Sequence, residues 1–238
     1  MPLPRQAVTS FLVKLPSTGK QLEMRPFLVK EEKILYIALE SGDVEEIQRG
    51  IQNVLVSCTL GKLDVDALTS FDLEFLFIKL RAKSVNEIAE VGIIHEGCEK
   101  PTPISINFDT VEVNVKKKDR IIKFDDVHGI TMRYPSLKDL EELKGFKKNT
   151  DKLFTLIDRV MINAFDADDV YDDFTVEEVG EYIEHLTTAQ FNKVMKFLTN
   201  QPQIEVNVPY TCVECGAEVE QKIQGLRNFF KLGSPTTA

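Results

Sequence analysis

The 238-residue sequence has no hydrophobic run long enough to cross a membrane, because no apolar stretch approaches the ~20 residues that a spanning helix needs. Its first residues, Met1-Pro-Leu-Pro-Arg5, also lack the apolar stretch of about seven or more residues that a secretory signal contains. We therefore expect a chain that is made and folds in a reducing cytoplasm and has no membrane partner.

Several signatures of catalysis are also missing. The sequence contains neither a phosphate-cradling glycine loop nor a dinucleotide-binding fingerprint. His128 and His185 are not accompanied by a serine or cysteine nucleophile motif. These absences predict a protein that is not an enzyme.

Basic residues are fewer than acidic residues in this sequence. The chain has 29 Lys and Arg residues against 38 Asp and Glu residues, which gives a formal net charge of −9. A negative balance spread along the chain opposes attraction to phosphate backbones. We therefore expect no nucleic-acid partner.

The composition is otherwise that of a globular chain, with 43% hydrophobic and 28% charged residues. Residues 9–15 and 21–25 have the patterns of two short strands on either side of a Pro-Ser-Thr-Gly turn, which predicts a β-hairpin at the start of the chain. Helical spacing follows, and residues 69–84 are apolar around most of the helix circumference, which predicts a central buried helix.

The middle of the chain, 86–94 and 102–124, alternates as strands do, and helical patterns return over 136–200. Capping-box signatures that begin at Ser136, Thr175 and Thr187 predict three helix starts in this block. A strand before the last cysteines and a short helix around 223–230 complete an α+β fold. The predicted domains are an N-terminal hairpin and helical region (1–85), a β unit (86–135 plus 201–232), a helical insertion (136–200) and a loose tail (233–238).

Four residues form a candidate metal site. Cys212 and Cys215 have the spacing of a metal-binding knuckle, and Gly216 follows directly. Structural zinc takes four ligands, and His95 and Cys98 offer the same spacing with an imidazole and a thiol. We call these pairs the first half-site (95–98) and the second half-site (212–215). They predict a Cys₃His structural zinc site.

Strand patterns lead into and out of both half-sites, so the two would face each other as in a zinc ribbon. The helical block would then interrupt the ribbon, since 113 residues separate Cys98 from Cys212. The usual separation is about 15–20 residues. Two other readings of the cysteine pair stay open: a thiol-redox motif and cysteines without a ligand. Cys58, on an apolar helical stripe, is predicted to be a small buried hydrophobe.

Several segments resemble one known protein family. They are Leu15-Pro-Ser-Thr-Gly-Lys20, Arg25-Pro-Phe-Leu-Val-Lys-Glu-Glu-Lys-Ile-Leu35, the Phe-rich stretch from Thr69 to Ser84, and Cys212-x-x-Cys-Gly216 with Gly225-Leu226 and Phe229-Phe230. They look like the baseplate hub proteins of T-even-like contractile-tailed bacteriophages. In that pattern the first half-site is usually a cysteine pair, whereas His95 takes the leading position here.

The resemblance implies a non-enzymatic hub subunit or hub-assembly factor that binds other tail and baseplate proteins, with an oligomer possible within the assembly. It would be found in the virion, at the tail baseplate, or in the host cytoplasm during assembly. Phe229 and Phe230 would either pack in the core or anchor a neighbouring subunit. The alternative function is a zinc-ribbon regulatory or nucleic-acid-binding module, or less favourably a thiol-redox protein.

Overall fold

The computed structural model describes residues 8–113, 115 and 117–225. Over this part of the chain it is an α+β protein with seven α-helices and small antiparallel sheets. Among the residues described, none of the helices combines the length and apolar character needed to span a membrane.

The chain divides into two compact units. The first contains the described residues of 1–65, 71–113 and 203–238, and the second those of 66–70 and 114–202. The four domains expected from the sequence stay a prediction.

The first unit opens with the predicted β-hairpin, in which β1 (Phe11–Lys14) pairs antiparallel with β2 (Gln21–Met24). Two helices follow, α1 (Val29–Ser41) and α2 (Val44–Cys58). The carboxylate of Asp43 caps α2 by accepting hydrogen bonds from the backbone N–H groups of Glu45 and Glu46. Cys58 is fully buried at the end of α2, as predicted.

The central buried helix is confirmed as α3 (Ser70–Ser84). Its buried side chains lie all around the helix axis, and they are Phe71, Asp72, Leu73, Phe75, Leu76, Phe77, Ile78, Leu80, Arg81 and Ala82. Asp72 accepts hydrogen bonds from the backbone N–H and the hydroxyl of Ser17, which joins the β1–β2 turn to this helix.

Two further hairpins complete the first unit. Strands β3 (Ile88–Ile94) and β4 (Pro101–Asn107) pair antiparallel. Strands β9 (Glu205–Thr211) and β10 (Glu218–Gln224) do the same, and β4 lies against β9. The alternating apolar side chains of β4, among them Ile104 and Ile106, point into the core.

The second unit contains a four-stranded antiparallel sheet in the order β5 (Ile121–Lys123), β6 (Gly129–Met132), β7 (Met161–Phe165) and β8 (Val170–Tyr171). Its helices are α4 (Leu137–Leu143), α5 (Asn149–Val160), α6 (Val176–Glu184) and α7 (Thr188–Thr199). Capping boxes begin α4, α6 and α7 at Ser136, Thr175 and Thr187, as the sequence predicted.

Three predictions need correction. The block 136–200 is not wholly helical, because Met161 begins strand β7 instead of extending the helix before it, and β7 pairs with β6. The extended run predicted over 102–124 is broken by 3₁₀-helices at Phe108–Thr110 and Lys117–Arg120. Ile223 belongs to β10 and not to a closing helix. The rest of that predicted helix, with Phe229 and Phe230, lies outside the described residues.

Candidate metal centre

The first half-site is the connection between β3 and β4. His95 follows the last residue of β3 directly, and Cys98 comes three residues later. The backbone N–H of Cys98 donates to the carbonyl of His95 over 3.0 Å, which closes the turn. Gly97 has φ = 82°, a left-handed conformation that is strained for any residue with a side chain, so glycine suits this position.

The second half-site is the matching connection between β9 and β10. Cys212 follows the last residue of β9, and its carbonyl accepts a hydrogen bond of 2.9 Å from the N–H of Gly216. The N–H of Cys212 donates in turn to the carbonyl of Ala217, also over 2.9 Å. Gly216 has φ = 73°, so the glycine after the second cysteine supplies the left-handed residue that this turn requires.

The structure brings the four predicted residues together. One ligand atom from each of His95, Cys98, Cys212 and Cys215 lies within 4.8 Å of the other three. The Sγ atoms of Cys98 and Cys212 are 3.8 Å apart. The Nδ1 atom of His95 is 3.7 Å from the Sγ of Cys98 and 3.3 Å from the Sγ of Cys215.

These separations fit a tetrahedral zinc site. Zn–S bonds of about 2.3 Å and Zn–N bonds of about 2.0–2.1 Å place two ligand sulfurs about 3.8 Å apart, and a sulfur and a nitrogen about 3.6 Å apart. The donor set of thiols and imidazole is also the set that zinc prefers. The four residues therefore lie close enough to hold a metal ion, and Nδ1 is the atom that His95 turns toward the sulfurs of Cys98 and Cys215.

The pKa values of two thiols in the cluster are shifted in opposite directions. The pKa of Cys98 is raised to about 12. The largest cause is removal of the thiol from water, and the next is its interaction with the neighbouring thiols of Cys215 and Cys212. Hydrogen bonds from the backbone N–H groups of Cys215 and Glu214 lower the pKa of Cys212 to about 6. Like charges this close oppose each other's ionisation, and a divalent cation among the sulfurs would stabilise the thiolates.

Two contacts between the second half-site and the residues that follow the first half-site were not predicted from the sequence. The Oε2 atom of Glu214 accepts hydrogen bonds of 2.8 Å from the backbone N–H groups of both Glu99 and Lys100. The Oγ1 atom of Thr102 accepts a hydrogen bond of 3.1 Å from the N–H of Val213. The paired residues are more than 100 positions apart, and no local sequence pattern signals such pairs.

The fourth cysteine is not part of this cluster. Cys58 is buried in α2, and burial raises the pKa of its thiol to about 11, so the thiol stays protonated at neutral pH. It packs as a small hydrophobe, in agreement with the prediction.

Comparison with known proteins gives two matches. The family model described as "T4 bacteriophage base plate protein" matches residues 8–231. The baseplate hub assembly protein gp26 of Enterobacteria phage T4 is 24% identical over 214 residues, which cover 90% of this chain and 94% of that protein. No solved structure matches the chain at a significant level.

Proposed function

Because the chain belongs to the family of T4 bacteriophage base plate proteins, we propose that it helps to build the tail baseplate, as a hub subunit or a hub-assembly factor. The observation that carries this proposal is the extent of the likeness. The relative named for hub assembly aligns with 90% of this chain and over 94% of its own length, so the likeness extends over nearly the whole of both chains and is not confined to one module.

The proposed mode of action is binding to other tail and baseplate proteins, without a catalytic step. The chain would act in the host cytoplasm during assembly, and as a hub subunit it would remain in the virion at the baseplate. Its net charge of −9 opposes binding to nucleic acid, which disfavours a role as a nucleic-acid-binding module.

The proposed role of the metal centre is structural. His95, Cys98, Cys212 and Cys215 would hold one zinc ion with all four positions filled by the protein, which leaves none open for water or a substrate. The ion would brace the β3–β4 hairpin against the β9–β10 hairpin in the manner of a zinc ribbon, between residues on either side of the insertion.

The thiol-redox alternative is disfavoured by the surroundings of the cysteine pair. A redox Cys-x-x-Cys motif belongs to a thioredoxin-like βαβ pattern, whereas Cys212 and Cys215 lie between two strands and face a second ligand pair. Cys215→Ser separates the two readings. Unfolding of this variant with release of zinc supports the metal site, whereas lost disulfide-reductase activity in a variant that still folds supports the redox reading.

Deletion of the coding sequence from the phage tests the assembly role. We expect infected cells to accumulate heads but no complete baseplates or tails, as seen by electron microscopy of the lysate. Supplying the wild-type chain in trans should restore tails. Normal tails in the deletion strain would refute the proposal.

The same complementation experiment distinguishes a hub subunit from a hub-assembly factor. An epitope tag on the supplied chain should be detected in purified virions if the chain is a hub subunit. If it is an assembly factor, tails form but the tag is absent from the particles.

A further inference from the structure

The second half-site is joined to the residues that follow the first half-site by hydrogen bonds that involve none of the four metal ligands. Glu214 lies between the two cysteines of the second half-site, and its carboxylate reaches the backbone immediately after Cys98. A single oxygen, Oε2, accepts from two successive N–H groups, those of Glu99 and Lys100, at 2.8 Å each. Hydrogen bonds to an ionised acceptor are stronger than those between neutral groups.

A second crossing contact lies beside the first. The N–H of Val213 donates to the hydroxyl of Thr102, a residue of β4 that is only 3% exposed. Pairing of β4 with β3 fixes the backbone of Thr102, and burial restricts the side chain that carries the acceptor oxygen. We call the side chains of Glu214 and Thr102, with the N–H groups that they accept, the latch.

The latch acts where the metal ligands must be aligned. Glu99 is the residue after Cys98, and Val213 and Glu214 are the residues after Cys212. A shift of one half-site along the other that separated the ligand atoms would also have to break these bonds. The latch therefore fixes the register in which the four ligand atoms meet.

We propose that Glu214 is a positioning residue of the metal centre, which holds the two half-sites in register so that the four ligands are assembled before the metal binds. This inference rests on the proposed zinc site. Groups that orient metal ligands without binding the ion typically contribute 10- to 100-fold to metal affinity. Because Glu214 is exposed, the lower end of this range applies.

The test is zinc affinity of the full-length chain, measured by competition with a chromophoric chelator. Glu214→Ala should weaken zinc binding by about tenfold. Glu214→Gln should bind zinc within about threefold of the wild type, because the amide oxygen of Gln can accept both hydrogen bonds. Glu218→Ala, which removes an exposed carboxylate three residues after Cys215, is the matched control and should leave the affinity unchanged.

The Gln and Ala variants distinguish a positioning role of Glu214 from an effect of its negative charge. If Glu214 acted only by its negative charge near the ion, the Gln and Ala variants would weaken binding equally, and the inference would be overturned. Equal affinity of Glu214→Ala and wild type would overturn it as well. If Glu214→Ala does not fold, Thr102→Val removes the other acceptor with little change of shape and should weaken zinc binding by several-fold.

Hydrogen exchange without metal gives an independent readout. In the metal-free wild-type chain and in Glu214→Gln, the amide protons of Glu99 and Lys100 should exchange slowly, and in Glu214→Ala they should exchange about tenfold faster. A wild-type chain that does not bind zinc would refute the proposed metal site, while the exchange rates would still test the latch. Fast exchange of both amides in the metal-free wild type would overturn the inference itself.

Discussion

Glu31 is 1% exposed and yet carries a charge in the first unit, because its partners are fixed around it. Its Oε1 atom accepts hydrogen bonds from the Arg25 guanidinium and the Ser57 hydroxyl, both over 2.8 Å. Its Oε2 atom accepts from the N–H of Leu28 at the start of α1, also over 2.8 Å. Burial alone would raise the pKa of Glu31, but these hydrogen bonds outweigh burial and lower the pKa to about 2.

Replacing this carboxylate should destabilise the protein in a pH-dependent way. A fall in pKa from 4.5 to about 2 corresponds to roughly 3 kcal/mol of stability. That stability is fully present above pH 4.5 and is lost as the pH falls towards 2, because protonation then occurs in both the folded and the unfolded chain. Glu31→Gln should therefore lower the free energy of unfolding by about 3 kcal/mol at pH 7.

The measurement is urea unfolding of wild type and variant at several pH values between 7 and 2. The difference between them should shrink as the solution is acidified through this range. Glu40→Gln, at an exposed position of the same helix, is the control and should change the free energy by less than about 0.5 kcal/mol at any pH. A difference for Glu31→Gln that stays constant from pH 7 to pH 2 would contradict the assigned pKa.

At the scale of elements, Gly129 sets how closely the strands of the second unit pack. A Cβ atom at this position of β6 would lie 2.5 Å from Cζ of Phe165 and 2.6 Å from the carbonyl oxygen of Ile122. The Phe165 ring can move, but the carbonyl belongs to the neighbouring strand β5 and cannot move without loss of pairing. Gly129→Ala should therefore destabilise the protein by about 1–3 kcal/mol.

Gly180 supplies the opposite case. It lies inside helix α6, and a Cβ atom there would meet nothing within 4 Å. Gly180→Ala should stabilise the protein by about 0.5–1 kcal/mol, because alanine loses less backbone freedom on helix formation. Thermal unfolding of Gly129→Ala and Gly180→Ala should show a lower Tm for the first variant and a higher Tm for the second than for the wild type. Equal shifts in Tm would show that space around Gly129 does not limit the sheet.

The elements that could be predicted from the sequence are those with local signals. The capping boxes at Ser136, Thr175 and Thr187 fix the starts of three helices with side chains only three residues apart. The strand patterns on either side of each half-site likewise placed the four metal-ligand candidates in two facing turns.

Elements decided by distant partners could not be predicted in this way. Met161 continues the apolar spacing of Ile157 and Val160, so periodicity favours helix there, and only pairing with Met132 of β6 shows that the strand begins. The contact of Glu214 with Glu99 and Lys100 is of the same kind, because the residues meet only once both hairpins have formed.

At the scale of the whole molecule, the proposed metal centre would join residues 95–98 to 212–215, and the longer segment of the second unit, residues 114–202, lies between them in sequence. All four ligand candidates and the strands that carry them belong to the first unit. Stability need not be uniform across a protein, and an interaction confined to one unit protects the hydrogen bonds of that unit most. The proposed zinc ion should therefore brace one part of the chain far more than the other.

Hydrogen exchange followed by mass spectrometry, with and without a zinc chelator, should reveal this difference. Removal of the metal should speed exchange in β3, β4, β9 and β10 by at least about tenfold, because the ion stabilises only the state in which both hairpins are in place. Exchange in β6 and β7 should stay within about twofold, and added zinc should restore protection. The chelator should have no effect on Cys98→Ser, which lacks a ligand. Unchanged exchange in these four strands of the wild type would show that the metal does not brace them.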